Sequence, residues 1–326
     1  MPTDRSIPRN ISFYDATHPD VALGGFLQNG SITEANFLDI LAILLVVEGS
    51  PILVQERTSS HIVSRTDVPL ETGVYDIYSE GMCYVSPMYK ATQLLTPTAS
   101  IQVSDEPWIH RLTSYGTPRR VDNFRDEIRN RDRKCVISGL SMPRFLMQAQ
   151  KLIAFEAVHI FPPERNSLWI QHNCQQWITD MDDASCSSKI NSAQNGFLLQ
   201  KTVQQLFDQY LVSVNPDDNY KVVVFTDDLL GLDGRILDPA CRNPADPHCV
   251  SDEALRWHFR QSVLANVRRG GEPVFEHDFP PGHDMVREIL AGPYGQERFE
   301  LEIASRLRRV SKDNHSRPGE TPQLTN

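Results

Sequence analysis

The sequence predicts an α+β fold: a small mixed sheet with one helix, then a compact strand–strand–helix core, then C-terminal helices. Three observations carry that prediction. Stretches that alternate apolar and polar residues, such as ISFYDA from residue 11, give way to stretches of helical period, such as SDEALRWHFRQSVLANVRR from residue 251. The longest apolar run, ILAILLVV at 40–47, is far below the ~20 residues that a membrane helix needs, so it reads as buried helix or strand. A composition of 40% hydrophobic and 23% charged residues over 326 positions is that of a globular chain with room for one large domain or two modest ones.

Residues 1–10 read as a flexible arm. The interval 11–117 reads as a mixed sheet and helix region. ISFYDA is a strand because its aromatics favour sheets and its faces alternate. SITEANFLDILAILLVVEG is a helix, with Ser31 or Thr33 able to cap its start, Glu34 in its first turn and Gly49 after its end. TGVYDIYS and MCYVS are short strands divided by EG. The interval 118–232 is the expected core. It opens with a helix at 122–134, whose Phe124 and Ile128 form an apolar stripe. It continues with strands KCVISG, AFEAVHIF and NGFLL, the helix KTVQQLFDQYL and the strand YKVVVFTDD. Residues 163–188 read as irregular, anchored by Trp169 and Trp177. The interval 233–310 is expected to be helical. Its clearest helix has Ser251 as N-cap, Asp252 and Glu253 at the positive end of the dipole, and Leu255, Phe259, Val263 and Val267 on one face. Further helices are expected at 284–290 and 296–309, and a disordered tail at 311–326.

Charge and cysteine usage restrict the function. The formal net charge is −10, whereas a protein that lives by gripping phosphates usually carries a basic surplus. One local exception stands out. Between Pro118 and Cys135, seven arginines and lysines face four acids, either as a phosphate-facing surface or as a solvated helix with pairs such as Glu127–Arg131. The six cysteines include no C-x-x-C pair, which argues against a zinc ribbon. Cys241 and Cys249 flank His248, and His172 lies near Cys174; free thiols are the plainer reading of both clusters. His277, Asp278 and Asp284 surround FPPG and read as a rigid loop. There is no Gly-rich phosphate loop and no G-x-S-x-G elbow. MPTDRSIPRN has no apolar core and does not read as a signal peptide, so an intracellular, cytoplasmic protein without membrane contact is expected.

The chemistry concentrates in the middle of the chain. FEAVHIFPPE places His159 at the end of an apolar strand, and INSAQNGFLLQKTVQQLFDQY carries Asn191, Asn195, Gln204 and Asp208. Gln204 and Asp208 are four residues apart and share one helix face. A strand histidine, an asparagine before an apolar run and a polar helix face, in this order, resemble the HNH endonuclease-domain proteins found widely in fungi. RDRKCVISG, LFDQYLVSVNPDD and GEPVFEHDFPPG look like further pieces of that family. The resemblance implies an HNH-type ββα core within a mixed α/β protein. It implies His159 as general base, Asn195 as the residue that fixes the loop around it, and a metal-ligating histidine at the position of Gln204.

An amide at that position weakens the metal site, since Gln204 has only a neutral carbonyl oxygen to offer. The expected function is therefore a degenerate nuclease fold that acts without metal or cofactor on a small organic molecule, as a cyclase or isomerase of fungal secondary metabolism. His159, Asn195 and Asp208 are its candidate catalytic residues, and Gln204, Trp257 and His258 its candidate substrate-binding residues. For His258, on a helix face beside Trp257, packing is the ordinary role. One alternative is a Mg²⁺-dependent endonuclease with nucleic acid as partner; another is a non-catalytic binding protein.

Overall fold

The structure, a computed structural model, describes residues 9–47, 52–79, 101–106, 108–109, 111, 120–141, 154–180 and 188–268, with isolated positions at 286–287, 290 and 299. It is an α+β protein with two main hydrophobic cores among these residues.

The first core lies under a four-stranded sheet. β1 (Ile11–Asp15), β2 (Ala22–Phe26), β4 (Ile52–Glu56) and β5 (Gly73–Ser79) have the spatial order β2-β1-β5-β4. β1 pairs antiparallel with β2 and parallel with β5. A parallel neighbour requires a crossover, and α1 (Glu34–Leu44) lies within it. The expected cap is present. Thr33 Oγ1 accepts from the Asn36 amide at 3.2 Å, and Asn36 Oδ1 accepts from the Thr33 amide at 3.1 Å. Phe37 of α1 meets the rings of Phe13, Phe26 and Tyr75 at centroid distances of 5.9, 5.8 and 5.1 Å. Burying each such ring stabilises the fold by roughly 1.5–3 kcal/mol.

α1 is shorter than the sequence predicts. It stops at Leu44, and Leu45–Val47 become β3, paired antiparallel with β6 (Ile101–Val103). Two β-branched valines lose little by leaving the helix, and the remote β6 supplies their backbone partners.

The second core holds the ββα unit. β7 (Phe155–His159) and β8 (Gly196–Gln200) run antiparallel with Ala157 opposite Leu198 and His159 opposite Gly196. α4 (Lys201–Asp208) follows β8 directly. α2 (Arg120–Asp132) packs Phe124 and Ile128 on the hairpin. KCVISG is not the expected strand. Cys135 accepts from the Gly139 amide, Gly139 sits at φ +74°, and only an isolated bridge from Lys134 to Ser141 remains. Its apolar residues are buried because the turn plugs the core, and burial outside a strand ladder carries the same sequence pattern as a strand. The stretch after Pro162 is also more regular than expected. It forms α3 (Asn166–Gln171) and a 3-10 turn at Cys174–Trp177 around Trp169, whose ring nitrogen donates to the Ser188 carbonyl at 2.6 Å.

Two elements serve both cores. β10 (Lys221–Val224), paired with β9 (Val212–Asn215), turns Val222 and Val224 to the second core and Val223 to the first. α5 (Asp252–Asn266), capped by Ser251, gives Leu255 to the second core and Phe259 and Val263 to the first. The predicted strand MCYVS, the helices at 284–290 and 296–309, the His277 loop, the arm before residue 9 and the tail at 311–326 lie outside the described residues, apart from isolated positions. Among the described residues, no helix is long and apolar enough to cross a membrane.

Candidate functional site

His159 is the last residue of β7, and three neighbours fix its ring. Phe124 of α2 stacks on it at 3.8 Å between centroids, with only 7° between the planes. That approach depends on Gly196, directly across the hairpin. A Cβ there would sit 2.5 Å from Phe124 Cζ and 2.7 Å from the Val158 carbonyl oxygen. Asn191 Oδ1 lies 3.1 Å from His159 Nε2. A carbonyl oxygen only accepts, so Nε2 carries the proton and the lone pair resides on Nδ1. Burial pushes the imidazole down to about 3; the Arg111 and Arg125 guanidiniums push the same way, and Asn191 opposes them. The ring is therefore neutral at physiological pH.

Asn195 is 0% exposed, and its side chain hydrogen-bonds only to backbone among the described residues. Its Oδ1 accepts from the Phe161 amide at 2.8 Å. Its Nδ2 donates to the carbonyls of Phe161 at 3.1 Å and Ile190 at 2.8 Å. The Asn195 carbonyl accepts from the Ile160 amide. The side chain thus sews the segment after His159 to the segment carrying Asn191. It holds the loop, as the resemblance implies, and has no side-chain hydrogen-bonding group left over for a substrate.

Gln204 and Asp208 do share a face of α4: Gln204 Nε2 donates to Asp208 Oδ2 at 3.2 Å. The other carboxylate oxygen meets a residue that sequence reasoning missed. Arg111 is 4% exposed and lies 3.0 Å from Asp208 Oδ1. It also donates to the carbonyls of His159 and Ile160 and lies over the rings of Phe207 and Tyr210. Burial raises the Asp208 carboxyl; Arg111 and Gln204 pull it back down. Nothing local marks Arg111 in the sequence. It is a lone arginine far along the chain from both partners.

A divalent ion, which the resemblance implies, requires several oxygen or nitrogen donors converging on one point. The described residues do not fit one. Both oxygens of Asp208 are engaged, Gln204 presents its NH2 to Asp208, and a fixed guanidinium charge stands beside them. Among the described residues, no group of three His, Cys, Asp or Glu side chains can hold a metal, and this covers the clusters around Cys241 and Cys174.

Two expected binding residues lie elsewhere. His258 is 0% exposed, stacks on Phe207 at 3.6 Å, and has Ser213 Oγ at 2.8 Å and the Phe207 carbonyl at 3.1 Å on its two nitrogens. It is a core histidine that no substrate reaches, because the helix face that carries it is buried in the junction of the two cores. Trp257 is half-buried and packs on Phe161 at 4.4 Å. The basic helix α2 is likewise not wholly a surface. Arg131, 3% exposed, pairs with buried Asp132 rather than Glu127 and donates to the carbonyls of Ala193, Gly196 and His248.

Two stretches of the chain match known families. Residues 135–215 match HNH endonuclease (HNH_2), and residues 8–83 match a domain of unknown function (DUF8573). The first match covers the ββα unit and lies inside the expected core interval. No curated protein and no solved structure matches the chain. Residues 135–215 are thus similar to an HNH endonuclease domain.

Proposed function

We propose that this HNH-like core works as a metal-independent acid–base enzyme on a small anionic organic molecule, with His159 as the proton carrier. One observation carries the reading. The His159 ring is neutral and oriented, its Nε2 is committed to Asn191, and its Nδ1 lone pair has no hydrogen-bond partner among the described residues.

The chemistry follows from the ring's surroundings. Two guanidiniums, Arg111 and Arg125, act on it. An anionic substrate offsets their charge and raises the basicity of Nδ1 when it binds. The imidazole then takes a proton from the substrate and returns it to another atom in the same turnover, which is the proton-neutral chemistry of an isomerase or a cyclase. Asn195 and Asn191 hold the ring in place through that transfer. Asp208 and Gln204 are tied through Arg111 to the strand end that carries the ring. A role in secondary metabolism, and a fungal source, rest on the family resemblance alone.

A second reading is a Mg²⁺-dependent endonuclease, favoured by the HNH endonuclease match at 135–215. The engaged Asp208 and the acidic overall charge weigh against it.

One experiment separates the two. The full chain and His159→Ala are incubated with metabolite extracts and, in parallel, with plasmid DNA and RNA in the presence of Mg²⁺ or Mn²⁺. The expected result is a product of unchanged mass and altered chromatographic retention, formed by the unsubstituted protein alone, with the nucleic acids intact. Metal-dependent strand cleavage that disappears in His159→Ala establishes the endonuclease and ends the first reading.

A further inference from the structure

We propose that Arg111 is the built-in cation of this core, holding permanently the position and the charge that a divalent ion would otherwise supply. The inference does not depend on which substrate His159 serves.

Arg111 makes three kinds of contact at once. Its guanidinium pairs with Asp208 at the C-terminal end of α4. It donates to the two carbonyls at the C-terminal end of β7, those of His159 and Ile160. Its planar face covers Phe207 and Tyr210, with 5.3 and 5.9 Å to the centroids. One side chain thus fastens the strand that carries the imidazole to the helix that carries Gln204 and Asp208. A metal ion held between that strand and that helix would do the same work through coordinate bonds. A planar fork with five donors suits the task better than an ammonium, because it serves two carbonyls and a carboxylate together.

The arrangement also makes ion and arginine mutually exclusive. Asp208 is the acidic donor on this face of α4, and its charge is already neutralised. Gln204 turns its NH2 to it through the 3.2 Å hydrogen bond. The missing helix imidazole is therefore only half of what separates this core from a metal site. Arg111 is a positioning residue: it acts on substrate through the placement of His159 and through its field on that ring.

Metal affinity tests the idea, because a merely structural arginine would not govern it. Mn²⁺ binding is measured by calorimetry on the full chain, on Gln204→His, and on Gln204→His combined with Arg111→Gln. The expected result is no binding by the first two in the millimolar range, and binding by the combined variant that is tighter by about tenfold or more. Binding by Gln204→His alone, as tight as by the combined variant, overturns the proposal, and so does a combined variant that folds and binds nothing. Removing Arg111 strands a buried carboxylate, so a combined variant that does not fold is replaced by one measurement on Arg111→Lys. That variant keeps the charge and loses the fork. It is expected to remain folded while the His159 ring nitrogens shift in the ¹⁵N spectrum and the ring titrates at a changed pH. An unchanged His159 spectrum and titration overturn the positioning role.

Discussion

Asn195→Asp would test the loop around His159 most sharply, because it changes one NH2 group into one oxygen. The Phe161 amide keeps its acceptor. The carbonyls of Phe161 and Ile190 lose their donor and face a carboxylate at a site that is 0% exposed. A carboxyl buried this deeply, with the Phe161 amide as its one remaining donor, moves up by as much as about 3–5 units. At about 1.4 kcal/mol per unit, even three units cost about 4 kcal/mol once the group is ionised. The sign follows from the direction of the shift. Its folded-state pKa lies above the unfolded value, so protonation favours the folded state; the ionic cost is fully present above the raised pKa and is relieved as pH falls toward the unfolded value of about 3.9. The neutral acid donates to one of the two carbonyls, leaving the other unsatisfied at roughly 1–3 kcal/mol. Urea unfolding of the variant and the unsubstituted protein, compared near pH 8.5 and pH 5, should therefore give a deficit that is larger by about 2.5 kcal/mol at the higher pH, since about 1.5 kcal/mol of the ionic cost persists at pH 5. Domains of this kind are stable by only about 5–15 kcal/mol, so the variant is close to unfolded there. A deficit that is the same at both pH values, or one below about 1 kcal/mol throughout, would refute the account of Asn195 as a sealed backbone fastener.

Three further outcomes follow from the same geometry. Gly196→Ala forces a Cβ to within 2.5 Å of Phe124 and is expected to cost about 1–3 kcal/mol. It should also abolish the upfield ring-current shift of the His159 protons, which NMR reads directly. Arg131→Met leaves Asp132 charged and unpaired with three carbonyls short of donors, so a loss of about 3–5 kcal/mol is expected in thermal unfolding, with Arg131→Lys losing less. His159 and His258 are both held below the ordinary histidine value by burial, so the unfolded chain takes up protons that the folded chain refuses. Their contribution is intact above about pH 6.5 and is lost below it, at about 1.4 kcal/mol per pH unit for each ring. His258→Gln should remove one ring's share from the slope of stability against pH between about pH 6 and 5; an unchanged slope would show that this histidine charges within the folded protein.

What the residues determine locally was legible in the chain itself. The caps at Thr33 and Ser251, the alternation of β1, the stripe of α2 and the order β7, β8, α4 each follow from propensity and period within one segment. His159, Asn195, Gln204 and Asp208 were found because their spacing along a strand and a helix is a short-range pattern. Where tertiary packing competes with local preference, the pattern misleads. Val46 and Val47 leave α1 to pair with β6, and Val136 and Ile137 are buried in a turn that looks like a strand.

The character of the site was decided only in three dimensions. Asn191 reaches His159 because Asn195 fastens the loop between them, and the lone pair on Nδ1 follows from that single hydrogen bond. Arg111 comes to Asp208 from a distant stretch of chain, and Arg131 turns inward from a helix that reads as charged surface. Both are buried cations, and burial makes a charge seek a partner wherever the fold supplies one, with no regard for sequence distance. Composition and spacing therefore identify the imidazole and its helix, whereas the pairing of charges around them belongs to the folded chain.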